Sequence, residues 1–168
     1  MDTGTLFVEL LDREHAISRR LLERTPAGRH GWKPHDKSME LGYLAGLVAS
    51  IPDWIAMQVE RDALDLAPVD GPKFTMPRWS TAAELVELLD QATGRARRAL
   101  AGTSESHLAA PWKLQVAGRT VAESPRHAAI ADTFCHLAHH RGQLSVYLRL
   151  LEVPLPSIYG PSADERSF

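Results

Sequence analysis

The chain has one cysteine, Cys135, in 168 residues. A disulfide within the chain is therefore excluded, and a reducing compartment is the default expectation. No apolar run approaches the roughly 20 residues needed to span a bilayer, so no membrane partner is expected. The opening residues Met1-Asp2-Thr3-Gly4 lack the basic and apolar regions of a secretion signal, and a cytoplasmic location is expected. Positive charge is not in excess: 19 Lys and Arg face 21 Asp and Glu, for a net charge of −2. No global basic field exists to hold nucleic acid, and no nucleic-acid partner is expected. The one local cluster, Arg95, Arg97 and Arg98, reads as a solvated helix face. Gly4, Gly28, Gly31, Gly42 and Gly46 form no phosphate-loop pattern, and no Ser-His-Asp order can be defended.

What remains is an ordinary soluble composition, 44% hydrophobic and 24% charged, in a chain of one-domain length. Residues 1–168 are read as a single domain. Leu6, Leu10, Ile17, Leu21 and Leu22 recur at helical spacing and predict a first helix over Thr5–Glu23, stopped by Pro26 and Gly28. After a loop at Trp32–Lys37, Ser38 resembles an N-cap, and the run from Glu40 to Val59 predicts a second helix with a kink or break at Pro52. The proline-rich stretch Leu66–Trp79, with Pro68, Gly71, Pro72 and Pro77, is a linker. Ser80 or Thr81 caps a third helix that ends at Gly102, with Glu84 as the reciprocal capping-box residue. His107–Ser124 reads as a small hairpin or an irregular loop. Ser124 as N-cap and Pro125 at the first helical position predict a last helix running to Leu151. Four long helices with long connections describe a four-helix bundle, an all-α fold.

The last helix carries His136-Leu137-Ala138-His139-His140-Arg141-Gly142-Gln143. His136 and His140 differ by about 40° of rotation and one turn of rise, so both imidazoles can reach one metal ion. Asp132, His136, His140 and Gln143 lie along one slowly drifting stripe. Asp132, one turn before His136, is placed to fix a histidine tautomer or to act as a weak ligand. The equally open alternative is that His136 is a hydrogen-bonded core histidine and His139 and His140 face water. Cys135, about 100° around the helix from His136, is expected in the core. Arg141 and Arg149 are expected to pair with acids of another helix or subunit at the surface. Trp32, Trp54, Trp79 and Trp112 read as core caps and loop anchors, or as the lining of a pocket at the open end of the bundle. Tyr159 reads as a packing anchor folded back over the histidine helix.

The phrase His139-His140-Arg141-Gly142-Gln143-Leu144-Ser145-Val146-Tyr147-Leu148-Arg149-Leu150, followed by Tyr159-Gly160-Pro161-Ser162, resembles the C-terminal signature of the DinB (damage-inducible) and YfiT-like family. Trp32–Met39 and Leu41-Gly42-Tyr43-Leu44-Ala45 resemble that family's first loop and second helix. The resemblance spans nearly the whole chain. It implies an all-α, up-down-down-up four-helix bundle with long loops, a homodimer, and a divalent nickel or zinc ion held by three histidines. It also implies a metal-dependent thiol transferase or a hydrolase-like enzyme that uses a thiol cofactor on a small electrophilic molecule. The alternative is a non-enzymatic stress-response or ligand-binding protein.

The family's two histidines on the last helix match His136 and His140. The third belongs on the second helix, where this chain has Leu47, and no histidine lies between His35 and His107. An open catalytic site usually keeps three protein ligands. Three readings follow: a replacement ligand among His139, Asp132, His35 and Glu40; a weak two-histidine site; or a vestigial site whose histidines are satisfied by hydrogen bonds.

Overall fold

The structure is a computed structural model that describes residues 2–70 and 75–166. Among them the order is α1 (Thr3–Leu22), α2 (Leu41–Glu60), β1 (Ala63–Asp65), α3 (Ala82–Ala101), α4 (Glu105–Ala109), β2 (Pro111–Val116), β3 (Arg119–Pro125) and α5 (Arg126–Leu150). The four long helices fall where the apolar periodicity places them. The all-α expectation is corrected: a three-stranded sheet, ordered β1-β2-β3, lies alongside the helices. Of the proline-rich linker, Gly71 and Pro72 lie outside the described residues.

The helix ends follow local chemistry. Asp2 caps α1 by accepting from the Thr5 amide at 2.7 Å. Thr81 caps α3, and the Glu84 carboxylate reaches back to the Ser80 amide at 2.7 Å. α2 starts after Glu40 without a side-chain cap, so Ser38 is not its N-cap. The loop substitutes: the Leu41 and Gly42 amides donate to the carbonyls of Trp32 and His30, at 2.8 and 2.9 Å. That approach favours glycine at 42, because a Cβ there would lie a tight 3.2 Å from the His30 carbonyl oxygen. α2 also runs unbroken through Pro52, whose missing amide hydrogen leaves the Val48 carbonyl one donor short.

Two apolar clusters form the core. One joins Leu21, Leu22, Leu41, Leu44, Leu47, Ile51, Leu85, Leu89, Leu137, Leu144 and Leu148. The other joins Phe7, Leu11, Ile55, Val59, Leu100, Leu108, Ile130 and Phe134. On α5 they meet between Phe134 and Leu137, one residue from His136. Each fully buried leucine contributes about 1.5–3 kcal/mol.

The sheet is built on the β2–β3 hairpin. β2 pairs antiparallel with β3 through Trp112↔Ser124 and Leu114↔Ala122, with an irregularity after Leu114 that leaves Val121 as the extra residue. The turn is Ala117-Gly118, both at positive φ, 51° and 76°. Such a turn matches the twist of a hairpin, but the left-handed region is costly for alanine. Asp65 offsets that cost. Its carboxylate accepts from the Ala67, Ala117 and Gly118 amides at 3.0, 3.0 and 2.7 Å. These backbone bonds hold its pKa below the ordinary carboxyl range. β1 in turn pairs parallel with β2, Leu64 opposite Leu114. The last helix begins at Arg126 rather than after a Ser124 cap, because Ser124 and Pro125 are committed to the ladder opposite Trp112 and Pro111.

Candidate functional site

The α2 and α5 faces and the sheet enclose a cavity of about 370 Å³. Its walls are Trp54, Met57 and Gln58 from α2, Leu64–Leu66 at β1, Trp112 and Leu114 from β2, Ala122 and Ser124 from β3, and Ala129, Asp132, Thr133 and His136 from α5. The strand period of two brings Trp112 and Leu114 to this face together with their partners Ser124 and Ala122. Lys113 and Glu123 take the other face, where they form an ion pair. On α5 the helical period places Ala129, Asp132, Thr133 and His136 in one stripe. A cavity of this size, mostly apolar with a few polar groups, is typical of small-molecule sites. A second hollow of about 190 Å³, reaching toward α3, shares Trp54 and Met57 as walls and adds Ser50, Asp53, Leu88, Gln91 and Arg95.

His136 stands exposed at the cavity wall. The edge of one ring faces the other where His136 meets Trp54, with centroids 5.2 Å apart. His140, one turn on, is 8% exposed. The two Nε2 atoms lie 2.7 Å apart, hydrogen-bonded to each other. His140 Nδ1 lies 2.8 Å from the Gln143 side-chain oxygen, which can only accept, so Nδ1 carries the hydrogen. Burial lowers the pKa of His140, against the opposing bond to Gln143. Burial, then the charges of His140 and His139, lowers that of His136. Both shifts favour the neutral form of the rings. His140 Nε2 therefore holds a lone pair and accepts, while His136 Nε2–H donates.

Of the residues proposed to help, Asp132 lines the same cavity as His136 and the His139 ring packs against that of His140 with centroids 5.1 Å apart, while His35 and Glu40 lie elsewhere. Gln143, rather than Asp132, fixes the His140 tautomer, and His136 is bonded to His140 instead of to Asp132. His139 is exposed on the outer side of the helix. His35 is exposed, and its Nδ1 accepts from the Lys37 amide in the first loop; Glu40 is exposed at the start of α2. Leu47 is 6% exposed and packed in the first core cluster. Among the described residues no group of three or more His, Cys, Asp and Glu side chains could hold a metal ion. A three-histidine centre needs a third donor that these residues do not bring. The donor set does not fit that centre.

Two other sequence expectations are corrected. Cys135 is exposed: the buried stripe of α5 runs through Ile130, Phe134, Leu137, Arg141, Leu144 and Leu148, and Cys135 lies about 100° beyond Phe134. Arg141 is buried, with a salt bridge to Glu14 and a further bond to Ser18 Oγ at 3.1 Å. Tyr159 closes that cluster, its hydroxyl donating to Glu14 at 2.7 Å. Arg149 does pair at the surface, with Asp164. Trp54 and Trp112 are the tryptophans that line the cavity. Trp79 instead ties the segment before α3 to the first turn of α2, donating to the Gly42 carbonyl at 2.9 Å, and Trp32 packs against Tyr147.

Gln58, Thr133, Asp65 and Arg126 were not singled out by the sequence. The Thr133 hydroxyl lies 3.1 Å from the Gln58 side-chain oxygen and 3.1 Å from the Ala129 carbonyl. Arg126 is 0% exposed and donates to the carbonyls of Gln58, His107 and Arg61 and to the Asp62 carboxylate. It thereby satisfies the open carbonyls at the end of α2 and fixes one end of the cavity. The only signal in the sequence is an arginine at the first turn of a helix, where a cation is otherwise disfavoured.

No family model and no curated protein matches the sequence. Solved structures do match. A DinB-like protein of Bacillus subtilis, YjoA, is 16% identical and superposes with a TM-score of 0.65, over 96% of this chain and 99% of its own. A DinB-like protein of Bacillus cereus is 16% identical with a TM-score of 0.69, over 91% and 95%. A structure described as a putative member of the DinB family, from Exiguobacterium sibiricum, is 19% identical with a TM-score of 0.61, over 90% and 93%. At these identities the likeness is one of fold: the chain has the fold of DinB-like proteins across nearly its whole length.

Proposed function

We propose that the chain belongs with the DinB-like proteins whose fold it shares, and that it binds a small molecule in the cavity between α2, α5 and the sheet without a resident metal ion. One observation carries this reading: His136 and His140 satisfy each other and Gln143 through hydrogen bonds, while the position of the third histidine is a buried leucine. Two neutral imidazoles and water make a weak site, whereas three protein ligands hold a catalytic ion. The histidine pair then serves as a polar rim that donates and accepts at the mouth of a largely apolar chamber.

The rival reading, a metal-dependent transferase or hydrolase-like enzyme acting with a thiol, draws support from the same two Nε2 atoms, which converge on one point as paired ligands would. Protein purified without a histidine tag separates the two. Its metal content, measured by plasma mass spectrometry, is expected to be far below one ion per chain, and calorimetric titration with zinc and nickel is expected to give weak binding. A stoichiometric ion that survives dialysis against a chelator overturns the metal-free reading.

A further inference from the structure

The cavity described above has a marked asymmetry of charge. Two carboxylates line it, Asp65 and Asp132, and none of its described lining residues is a lysine or arginine. His136 is the remaining titratable group of the wall. The cations nearest in sequence are engaged elsewhere. Lys113 lies on the opposite face of β2 beside Glu123. The Arg126 guanidinium is fully buried among three backbone carbonyls and Asp62. None of the ion pairs among the described residues involves Asp65 or Asp132.

The two carboxylates differ in what they can do. Asp65 has both oxygens taken by backbone amides, and those bonds keep it ionised. Its carboxylate is a fixed negative charge beside the cavity, held at the hairpin turn rather than offered to a ligand. Asp132 is exposed on α5 and one turn from His136, so its oxygens are free to meet a ligand. The same walls carry two indoles, Trp54 and Trp112, with Met57, Leu64, Leu66 and Leu114. Indole faces attract cations, and apolar walls strengthen the attraction by excluding water. An anionic ligand would face two like charges in the same space with no counter-charge supplied by these walls.

We propose that the cavity selects a small organic cation: a primary to quaternary amine on an apolar or aromatic body, its charged end toward Asp132 and its body between Trp54 and Trp112. This rests on the reading of the cavity as a ligand site and adds the class of ligand. It also runs against an anionic thiol as the natural occupant, since a carboxylate-bearing thiol would bring its charge against Asp65 and Asp132.

Three matched probes test the charge preference: phenylbutylamine, phenylbutanol and phenylbutyrate, titrated calorimetrically into the intact chain with a chelator present. The Trp112 indole N–H resonance reports where they bind. The amine is expected to bind at least about tenfold more tightly than the carboxylate, with the alcohol between them. In Asp132→Asn, an exposed and nearly isosteric change, the amine-to-carboxylate ratio is expected to fall to less than about threefold. Equal binding of the three probes, or tighter binding of phenylbutyrate, overturns the cation preference and leaves the cavity as a ligand site. An unaltered ratio in Asp132→Asn overturns the role given to that carboxylate. If none of the three binds or shifts the Trp112 resonance, the ligand-site reading itself falls, and the preference with it.

Discussion

Arg141 of α5 and Glu14 of α1 form an ion pair with side chains only 1% and 4% exposed. Arg141 also donates to the Glu14 carbonyl and to Ser18, and Tyr159 donates to the same carboxylate. Removing one partner of such a pair strands the other charge in the interior, at a cost of about 3–5 kcal/mol. Arg141→Met is expected to lose that much in urea unfolding. The double variant Glu14→Leu, Arg141→Met is expected to be more stable than the single one, since no charge is left unpaired. A double variant less stable than Arg141→Met would show that the pair is not the source of the loss.

The same cluster sets a pH dependence. Burial alone would raise the Glu14 carboxyl, but the hydrogen bonds from Tyr159 and Arg141, the Arg141 charge and the bond from Arg13 outweigh it and hold the group below its ordinary 4.5. A depressed folded-state pKa contributes stability that is present above the unfolded value and lost as pH falls through the folded one. Asp164 and Glu165, held low chiefly by Arg149 and Arg24, have the same sign. Asp53, raised by burial, has the opposite sign. His136 and His140, held below their ordinary 6.5, add a loss that begins as pH falls through that value, so urea midpoints are expected to decline gradually from about pH 6.5 and more steeply below about pH 5. The decline should be shallower in Glu14→Gln, and an identical slope would assign the acid loss to other groups.

Arg126 closes the end of α2 with four hydrogen bonds from a guanidinium that is 0% exposed. Arg126→Met leaves the Gln58 and Arg61 carbonyls without that donor, and each stranded buried group costs about 1–3 kcal/mol. Arg126→Lys is expected to recover only part of the loss, because an ammonium cannot match the planar fork. Hydrogen exchange should locate the change in the last turn of α2 and around Asp62. Uniform protection loss across the chain would mean a global effect instead.

Leu47→His restores the type of donor that the family pattern places on α2. If the rest of the site is still assembled, the variant is expected to bind zinc or nickel at least about 100-fold more tightly than the parent, because even outer-shell partners change metal affinity about 10–100-fold. The parent titrated alongside gives the baseline. No gain in affinity would mean that position 47 and the histidine pair no longer converge.

The periodic parts of the molecule were legible in the sequence. α1 and α3 lie where leucines recur every three or four residues, and the Thr81–Glu84 capping box is present as read. His136, His140 and Gln143 meet because the period of α5 makes neighbours of residues three and four apart. What local pattern could not convey was decided across the chain. β1 is a three-residue strand, Ala63–Asp65, that exists by pairing with residues some fifty positions later. Ser124 and Pro125 carry a good helix-start signal, but their ladder with Pro111 and Trp112 wins. Arg141 reads as a surface cation, and Arg126 draws no reading at all, until folding brings near the carboxylate and the carbonyls that bury them. Asp65, just before the linker, gave no sign that its carboxylate would hold the turn of a hairpin some fifty residues on.

Trp54 and Met57 belong to both hollows of the molecule. The partition between the chamber at the sheet and the smaller one toward α3 is thus partly made of one indole, half-exposed and seated against the edge of His136 rather than locked in the core. The helices fix the width of the binding space. Its depth is set at Trp54, a wall held in common with a smaller space that Asp53 and Arg95 also line.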